Sequence, residues 1–335
     1  MEGIIGIDVA KRTFDAALLV NNKYKNKTFE NNPSGFSSLM SWLSRHHITQ
    51  FHACMEATGT YCRELANYLY ETNHPVSVVN SLRIKGFGRS TLVRTKNDRI
   101  DAKLIADFCA KLKPALWKPA SLERENLKEL VRYLNDLKKM KHQETCRAQT
   151  AISNNTKKFF IEHITYLENQ ITLAEKELLI LIKQESQLEK QHDLLCSIPG
   201  ISTILSATLL AEVVFEDYSK TRQIASHVGL TPQERSSGTS VRGKPHISKV
   251  GNAFMRKSLY MPALCAINFN PVIKTFSQRL KASGKPPKVV ITACMRKLIC
   301  IAAGVIKSNQ PFREEHQRDS RQTAASPGEN RQNPH

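Results

Sequence analysis

Between Ser121 and Ile198 the chain contains neither glycine nor proline, and a run of that length is matched only by long helices. Within it Leu127, Leu130, Leu134 and Leu137 recur at 3-4-3 spacing. Ile164, Leu167, Ile171, Ala174, Leu178 and Leu181 recur at 3-4-3-4-3, with Leu188 one heptad on. These are coiled-coil seams. The polar stretch from Lys141 to Lys158 separates them, so two long helices are expected, folded back on each other or paired between chains; seams this short leave both arrangements open. Pro114 and Pro119 bound the run on one side and Pro199 on the other. The 335 residues therefore divide into a domain at 1–115, a coiled-coil region at 120–190, a mainly α domain at 191–312 and a tail at 313–335. The tail lacks the apolar content of a core and is expected to be disordered.

The first domain reads as α/β. GIIGIDV at 3–9 and TFDAALLV at 13–20 flank a polar Asn21-Asn22 turn, which predicts a hairpin, and 23–30 supplies a third strand. Asn31, Asn32, Pro33 and Ser34 start a helix with Phe36, Leu39, Met40 and Leu43 on one face. FHACMEA then gives a fourth strand, Tyr61 to Tyr70 a helix, and PVSVVN at 75–80 a fifth strand. This order is expected to make a domain of the ribonuclease H type. Ile84 to Arg94 is Gly-rich and basic and reads as a loop or frayed helix, whereas 97–111 is a helix that Asn97 can cap.

Four acids stand at consistent ends of these elements: Asp8 ends the first strand, Glu56 the fourth, and Asp98 and Asp101 lie three apart on one helical face. Converging carboxylates are hard oxygen ligands, suited to Mg²⁺ or Mn²⁺ rather than zinc, and two such ions clamp the attacking and leaving oxygens of a phosphodiester displacement. Each acid alone has a plain explanation as a strand-end or first-turn charge. Three separate elements placing acids together by chance is the weaker account. Asp107 is assigned the plain role.

The net charge of +19 is localised. Residues 218–313 hold 17 Lys plus Arg and a single acid, Glu234, for +16, against +4 for 1–217. One-sided charge of this kind fits a polyanion, with nucleic acid the first candidate. At its centre, GLTPQERSSGTSVRGKPHISKVGN (229–252) mixes Arg235, Arg242, Lys244 and Lys249 with serines and glycines, a composition that binds phosphate oxygens. SIPGI at 197–201 suggests a helix-hairpin-helix turn or a plain helical one. The eight cysteines form no CxxC pair and read as reduced thiols. The N-terminus, interrupted by Glu2 and Asp8, is not that of a signal peptide, and the apolar stretch 289–306 carries Arg296 and Lys297. A cytoplasmic protein with no membrane partner is expected.

GIDVAK, MEATGTY, KNDRIDAKLIADF, SIPGI, GLTP, SSGTSVRGKPHISKVGN and LYMPAL, in this order and spacing, resemble the DEDD-type transposases of bacterial insertion sequences, the bridge-RNA-guided recombinases. The resemblance spans residues 3 to about 312. It implies a RuvC branch of the ribonuclease H fold with Asp8, Glu56, Asp98 and Asp101 as the metal-binding tetrad. Ser237 corresponds to a nucleophile that forms a 5′-phosphoserine link to DNA; the choice between Ser236 and Ser237 rests on the family register. The resemblance further implies a tetramer, a noncoding bridge RNA pairing with donor and target DNA, and a site shared between subunits. Asn97 departs from the threonine common at its position. Rival readings are a metal-dependent Holliday-junction-type endonuclease without a covalent intermediate, an RNA-binding scaffold, and an actin-like ATPase, whose phosphate loop would need Gly and Thr where Val9, Ala10 and Lys11 stand.

Overall fold

The computed structural model describes residues 2–57, 59–91, 97–233, 236–237, 241–242 and 246–314. The chain divides into two compact units, Met1–Ala120 and Ser121–His335.

In the first unit, β1 (Glu2–Val9), β2 (Thr13–Val20), β3 (Lys23–Glu30), β4 (Gln50–Glu56) and β5 (Val76–Val79) form one sheet in the order β3-β2-β1-β4-β5. The first three are antiparallel, and β4 and β5 run parallel to β1. Asn21 and Asn22 take φ of 48° and 59°, the left-handed conformation that a two-residue hairpin turn needs and asparagine tolerates. Strand alternation sorts the side chains. Ile5, Ile7, Phe14, Leu18, Ala53 and Met55 enter a core with α1 (Pro33–Arg45) and α2 (Arg63–Glu71). The alternate residues, Ile4, Gly6 and Asp8 on β1 and His52, Cys54 and Glu56 on β4, lie on the face covered by α3 (Ser81–Ser90) and α4 (Asp98–Leu112).

Contact between α4 and β1 depends on Gly6. A Cβ there would lie 2.1 Å from the Ala102 carbonyl oxygen and 2.2 Å from the Ala106 nitrogen, both backbone atoms that no rotamer change can move. A glycine inside a strand often marks such a close approach. Gly6→Ala is expected to lift α4 from the sheet and cost roughly 3 kcal/mol in denaturant unfolding; a loss below about 1 kcal/mol would show that α4 slides freely over β1.

The region 84–94, expected as a loop or frayed helix, is helical in its described part. Asn80 caps α3 by accepting a 2.8 Å hydrogen bond from Leu82 N. Gly88, whose presence argued for a loop, instead faces Leu104 on α4 and permits the two helices to approach.

In the second unit, α5 (Leu122–Thr150) and α6 (Asn154–Gln184) fold back on each other within one chain. Lys138–Glu175 at 2.7 Å and Lys141–Glu168 at 2.8 Å set their antiparallel register. Leu127, Leu134, Leu137, Leu167, Ala174 and Leu178 are buried, but Val131 and Ile182 are buried in place of Leu130 and Leu181. The inner face is broader than a two-helix seam because α5 also packs on α8 (Thr203–Glu212). One core then continues through α7 (Ser186–Cys196), a 3-10 turn at Phe215–Asp217, α9 (Thr221–His227), α10 (Ala253–Ser258), α11 (Tyr260–Phe269), α12 (Pro271–Ala282) and α13 (Pro287–Ser308). The Pro199-Gly200 turn is a joint in this core: Asn270 Nδ2 donates to Pro199 O at 3.2 Å. By length and composition alone α13 could cross a membrane, but half of it is buried inside this unit, with Cys294, Leu298, Ile299 and Ala302 in the core. The eight cysteines are free thiols.

Candidate active site

Asp8 and Glu56 end neighbouring parallel strands. Extending the Ile7↔Met55 register by one residue sets them side by side, on strands about 4.8 Å apart and on the face that α4 covers. The same Gly6 contact places Ala102 over β1, so the turn before it, which carries Asp98 and Asp101, lies at the Asp8 end of the strand. Asn97 caps α4 by accepting from Ile100 N at 2.8 Å.

The electrostatics report the juxtaposition. Burial pushes the Asp8 carboxyl up to about 6, and the charges of Asp101, Asp98, Glu56 and Asp15, in that order, push in the same direction. The other three sequence-predicted acids therefore act on Asp8. They do not form a closed shell: among the described residues, no three His, Cys, Asp or Glu side chains stand close enough together to hold a metal ion as they are. Four like charges repel, and Asp98 stays exposed while Asp8, Glu56 and Asp101 are half-buried. The donor set is nonetheless all hard carboxylate oxygen in a negative field, which fits Mg²⁺ or Mn²⁺. Asp107 has a different neighbour, the Tyr24 hydroxyl, which donates to it. Burial and that hydrogen bond push the Tyr24 hydroxyl up to about 12.

Asn31 was not singled out by its sequence context, which marks only a helix start; Asn32 fills that role, accepting from Gly35 N at 2.9 Å. Asn31 Nδ2 instead donates to both Ala10 O and Tyr61 O at 3.0 Å, tying the turn after Asp8 to the segment after Glu56. The pairing is long-range and has no local signature.

The serine segment belongs to the second unit. Its described residues pair as the strands of a hairpin. Strands β6 (Pro232–Gln233) and β9 (His246–Ile247) pair at its base, and β7 (Ser236–Ser237) and β8 (Val241–Arg242) pair further out, with Ser236 opposite Arg242 and Ser237 opposite Val241. Arg235 and Lys244 lie outside the described residues, and the Ser237 and Arg242 positions are described by backbone alone. Lys249 is exposed at φ 56°, and its carbonyl accepts from Arg256.

A buried acid anchors the hairpin's return. Glu212, with a side chain 2% exposed, pairs with Arg132 at 2.8 Å and accepts from Asn252 Nδ2 at 2.7 Å. Asn252 also caps α10, and its backbone N donates to His227 O. Arg132→Ala leaves a buried carboxylate short of its main counter-charge and is expected to cost about 2–3 kcal/mol. Thermal unfolding at fixed pH measures it, and an unchanged midpoint would show that Lys128, 4.0 Å from Glu212, suffices alone.

Two family models match this chain, one described as "Transposase" over residues 5–154 and one as "Transposase IS116/IS110/IS902 family" over 192–278. The chain is also 36% identical over 313 residues to the pilin gene-inverting protein of Moraxella bovis, an overlap of 92% of this chain and 97% of that protein. The chain belongs to the IS116/IS110/IS902 transposase family. Members are transposases and recombinases, enzymes of DNA strand transfer. The first match of this transposase contains all four acids and the second contains Ser237. It is 27% identical over 145 residues to the "Insertion element IS110 uncharacterized 43.6 kDa protein" of Streptomyces coelicolor, 42% of this chain and 36% of that one. Among solved structures, T. thermophilus RuvC in complex with a Holliday junction substrate is similar over 35% of this chain and 99% of its own, at 13% identity and a TM-score of 0.27, too low a likeness to carry weight.

Proposed function

We propose that this transposase cuts and rejoins DNA through a serine, Ser237, in concert with the carboxylates Asp8, Glu56, Asp98 and Asp101 on a RuvC-type sheet. The observation that supports the reading most is the placement of those acids: Asp8 and Glu56 at the ends of neighbouring parallel strands, and Asp98 and Asp101 in the first turn of the helix that Gly6 admits against β1. These four would hold Mg²⁺ or Mn²⁺, which supplies charge stabilisation at the phosphate oxygens.

Ser237 Oγ attacks the scissile phosphorus: a serine O–P bond forms, the P–O3′ bond breaks, and the serine proton leaves with the departing 3′-hydroxyl. Attack by the 3′-hydroxyl of another strand reverses the step, restoring a phosphodiester and the free serine. Phosphoester bonds are conserved in number, so no nucleoside triphosphate is consumed. Arg235, Arg242, Lys244 and Lys249 neutralise neighbouring phosphates. A seryl link that holds the cut end also suits a reaction that inverts a segment, as the name of the Moraxella relative describes for that protein.

The partners of this reading are donor and target DNA, a noncoding bridge RNA and three further copies of the chain, with the acids of one subunit serving the serine of another. They follow from the motif resemblance, and action on chromosomal DNA puts the enzyme in the cytoplasm. Incubation with substrate DNA, Mg²⁺ and the RNA encoded beside the gene is expected to give a protein–DNA adduct that survives denaturation and is released by protease. Cleavage without an adduct would assign the chain instead as a metal-dependent junction endonuclease.

A further inference from the structure

In the second unit a cavity of about 540 Å³ opens between α7, the Phe215–Asp217 turn and the end of α13. Its floor is apolar, built from Leu194, Phe215 and Ile306, and Lys190 and Lys307 stand in its wall. Gln191, 7% exposed, also lines it. Its Nε2 donates to Glu216 Oε1 at 2.6 Å, while its own Oε1 is buried with no partner among the described residues. Turning the amide over would set Oε1 against the Glu216 carboxylate, so the hydrogen bond fixes Nε2 as the donor to Glu216. Gln187 Nε2 donates to the same Glu216 Oε1 at 3.3 Å, and no described residue donates to Oε2. The cavity thus offers the Glu216 carboxylate, steadied on its Oε1 by Gln191 and Gln187, above an apolar floor, with cations beside it. Lys307 Nζ is held by Ser219 O at 2.7 Å, and Lys190 has no carboxylate partner among the described residues.

We infer that this cavity takes one unpaired nucleotide whose base bears an exocyclic amino group. The size is that of a small-ligand site. The base lies on the apolar floor, its amino group donates to Glu216 Oε2 while Gln191 and Gln187 hold Oε1, and its phosphate meets Lys190 and Lys307. Adenine, cytosine and guanine carry such a donor; thymine and uracil would bring a carbonyl against an acceptor. A basic peptide side chain would suit Glu216 but be repelled by the two lysines. The inference rests on nucleic acid as this enzyme's substrate or guide, and it is tested without divalent ions so that strand cleavage plays no part.

The full-length protein is titrated with fluorescent DNA duplexes containing a single unpaired adenine, cytosine or thymine, and with the matching RNA duplexes, uracil replacing thymine. Adenine and cytosine bulges are expected to bind about tenfold more tightly than the thymine or uracil bulge, and the nucleic acid that shows the preference identifies its source. Gln191→Leu and Glu216→Ala reduce that ratio to near one, while Lys190→Ala weakens all bulges alike. Equal affinity for all bulges in the unaltered protein overturns the inference, as does a preference that survives Glu216→Ala. Displacement by an arginine peptide and not by adenosine monophosphate would give the cavity to a protein partner and overturn it too. Asp8→Asn and Ser237→Ala keep the base preference, so failure of the cleavage mechanism and failure of this site are read separately.

Discussion

Ser237→Ala is expected to remove the denaturation-resistant DNA adduct and the recombined product together, a fall of roughly 10⁴-fold or more in strand transfer. Alanine leaves the two-residue pairing of the hairpin intact, because Ser237 meets Val241 through backbone hydrogen bonds. DNA affinity, which the proposed reading assigns to the cations of 218–313, should change little. The informative control is Ser236→Ala. Both serines lie on the same short strand, and the choice between them rests on the family register. If Ser236→Ala abolishes the adduct and Ser237→Ala does not, the chemistry stands and the family register is off by one. If neither does, and nicked product persists, water is the nucleophile and the junction-endonuclease reading takes over.

How far the primary sequence discloses this arrangement depends on the range of the interaction. The five strands are legible because period-two alternation is local and the Asn21-Asn22 turn names its own geometry. Asp8 and Glu56 fall together because adjacency of the first and fourth strands follows from the element order, and α4 was marked by its Asn97 cap. What stayed hidden was set by partners distant in the chain. Gly6 reads as an ordinary strand residue until Ala102 and Ala106 lie over it, and Gly88 reads as a breaker until Leu104 fills the space beside it. The shift from Leu130 and Leu181 to Val131 and Ile182 needs α8 as a third neighbour, which a heptad count does not include. Asn31 and Glu212 are polar residues whose meaning lies in carbonyls and cations tens of residues away. The paired strands of the serine segment escaped for another reason: two-residue strands are too short to show a period.

Asp8→Asn should move activity and stability in opposite directions. Strand cleavage is expected to fall by about 10³-fold or more, because the residue lost is the one on which the other acids converge. The metal-free protein should become more stable. In the folded state the Asp8 carboxyl is raised to about 6 from 3.8, so the native protein binds this proton more tightly than the unfolded chain does. Its contribution to stability is therefore present below about pH 4 and is lost as pH rises through about 6. At neutral pH the ionised, half-buried carboxylate opposes folding by on the order of 1 kcal/mol once solvent screening is allowed for. Asparagine keeps the shape and removes the charge, so the metal-free midpoint at pH 7.5 should rise by a few degrees. At pH 4 the variant and the parent should coincide. Mg²⁺ or Mn²⁺ should raise the midpoint of the parent by mass action and that of Asp8→Asn much less. Thermal unfolding of both proteins at the two pH values, with and without Mn²⁺, reads all three effects at once. A variant that is less stable than its parent at pH 7.5, or that gains as much from Mn²⁺, would mean that Asp8 is a structural acid and that the cation site lies elsewhere.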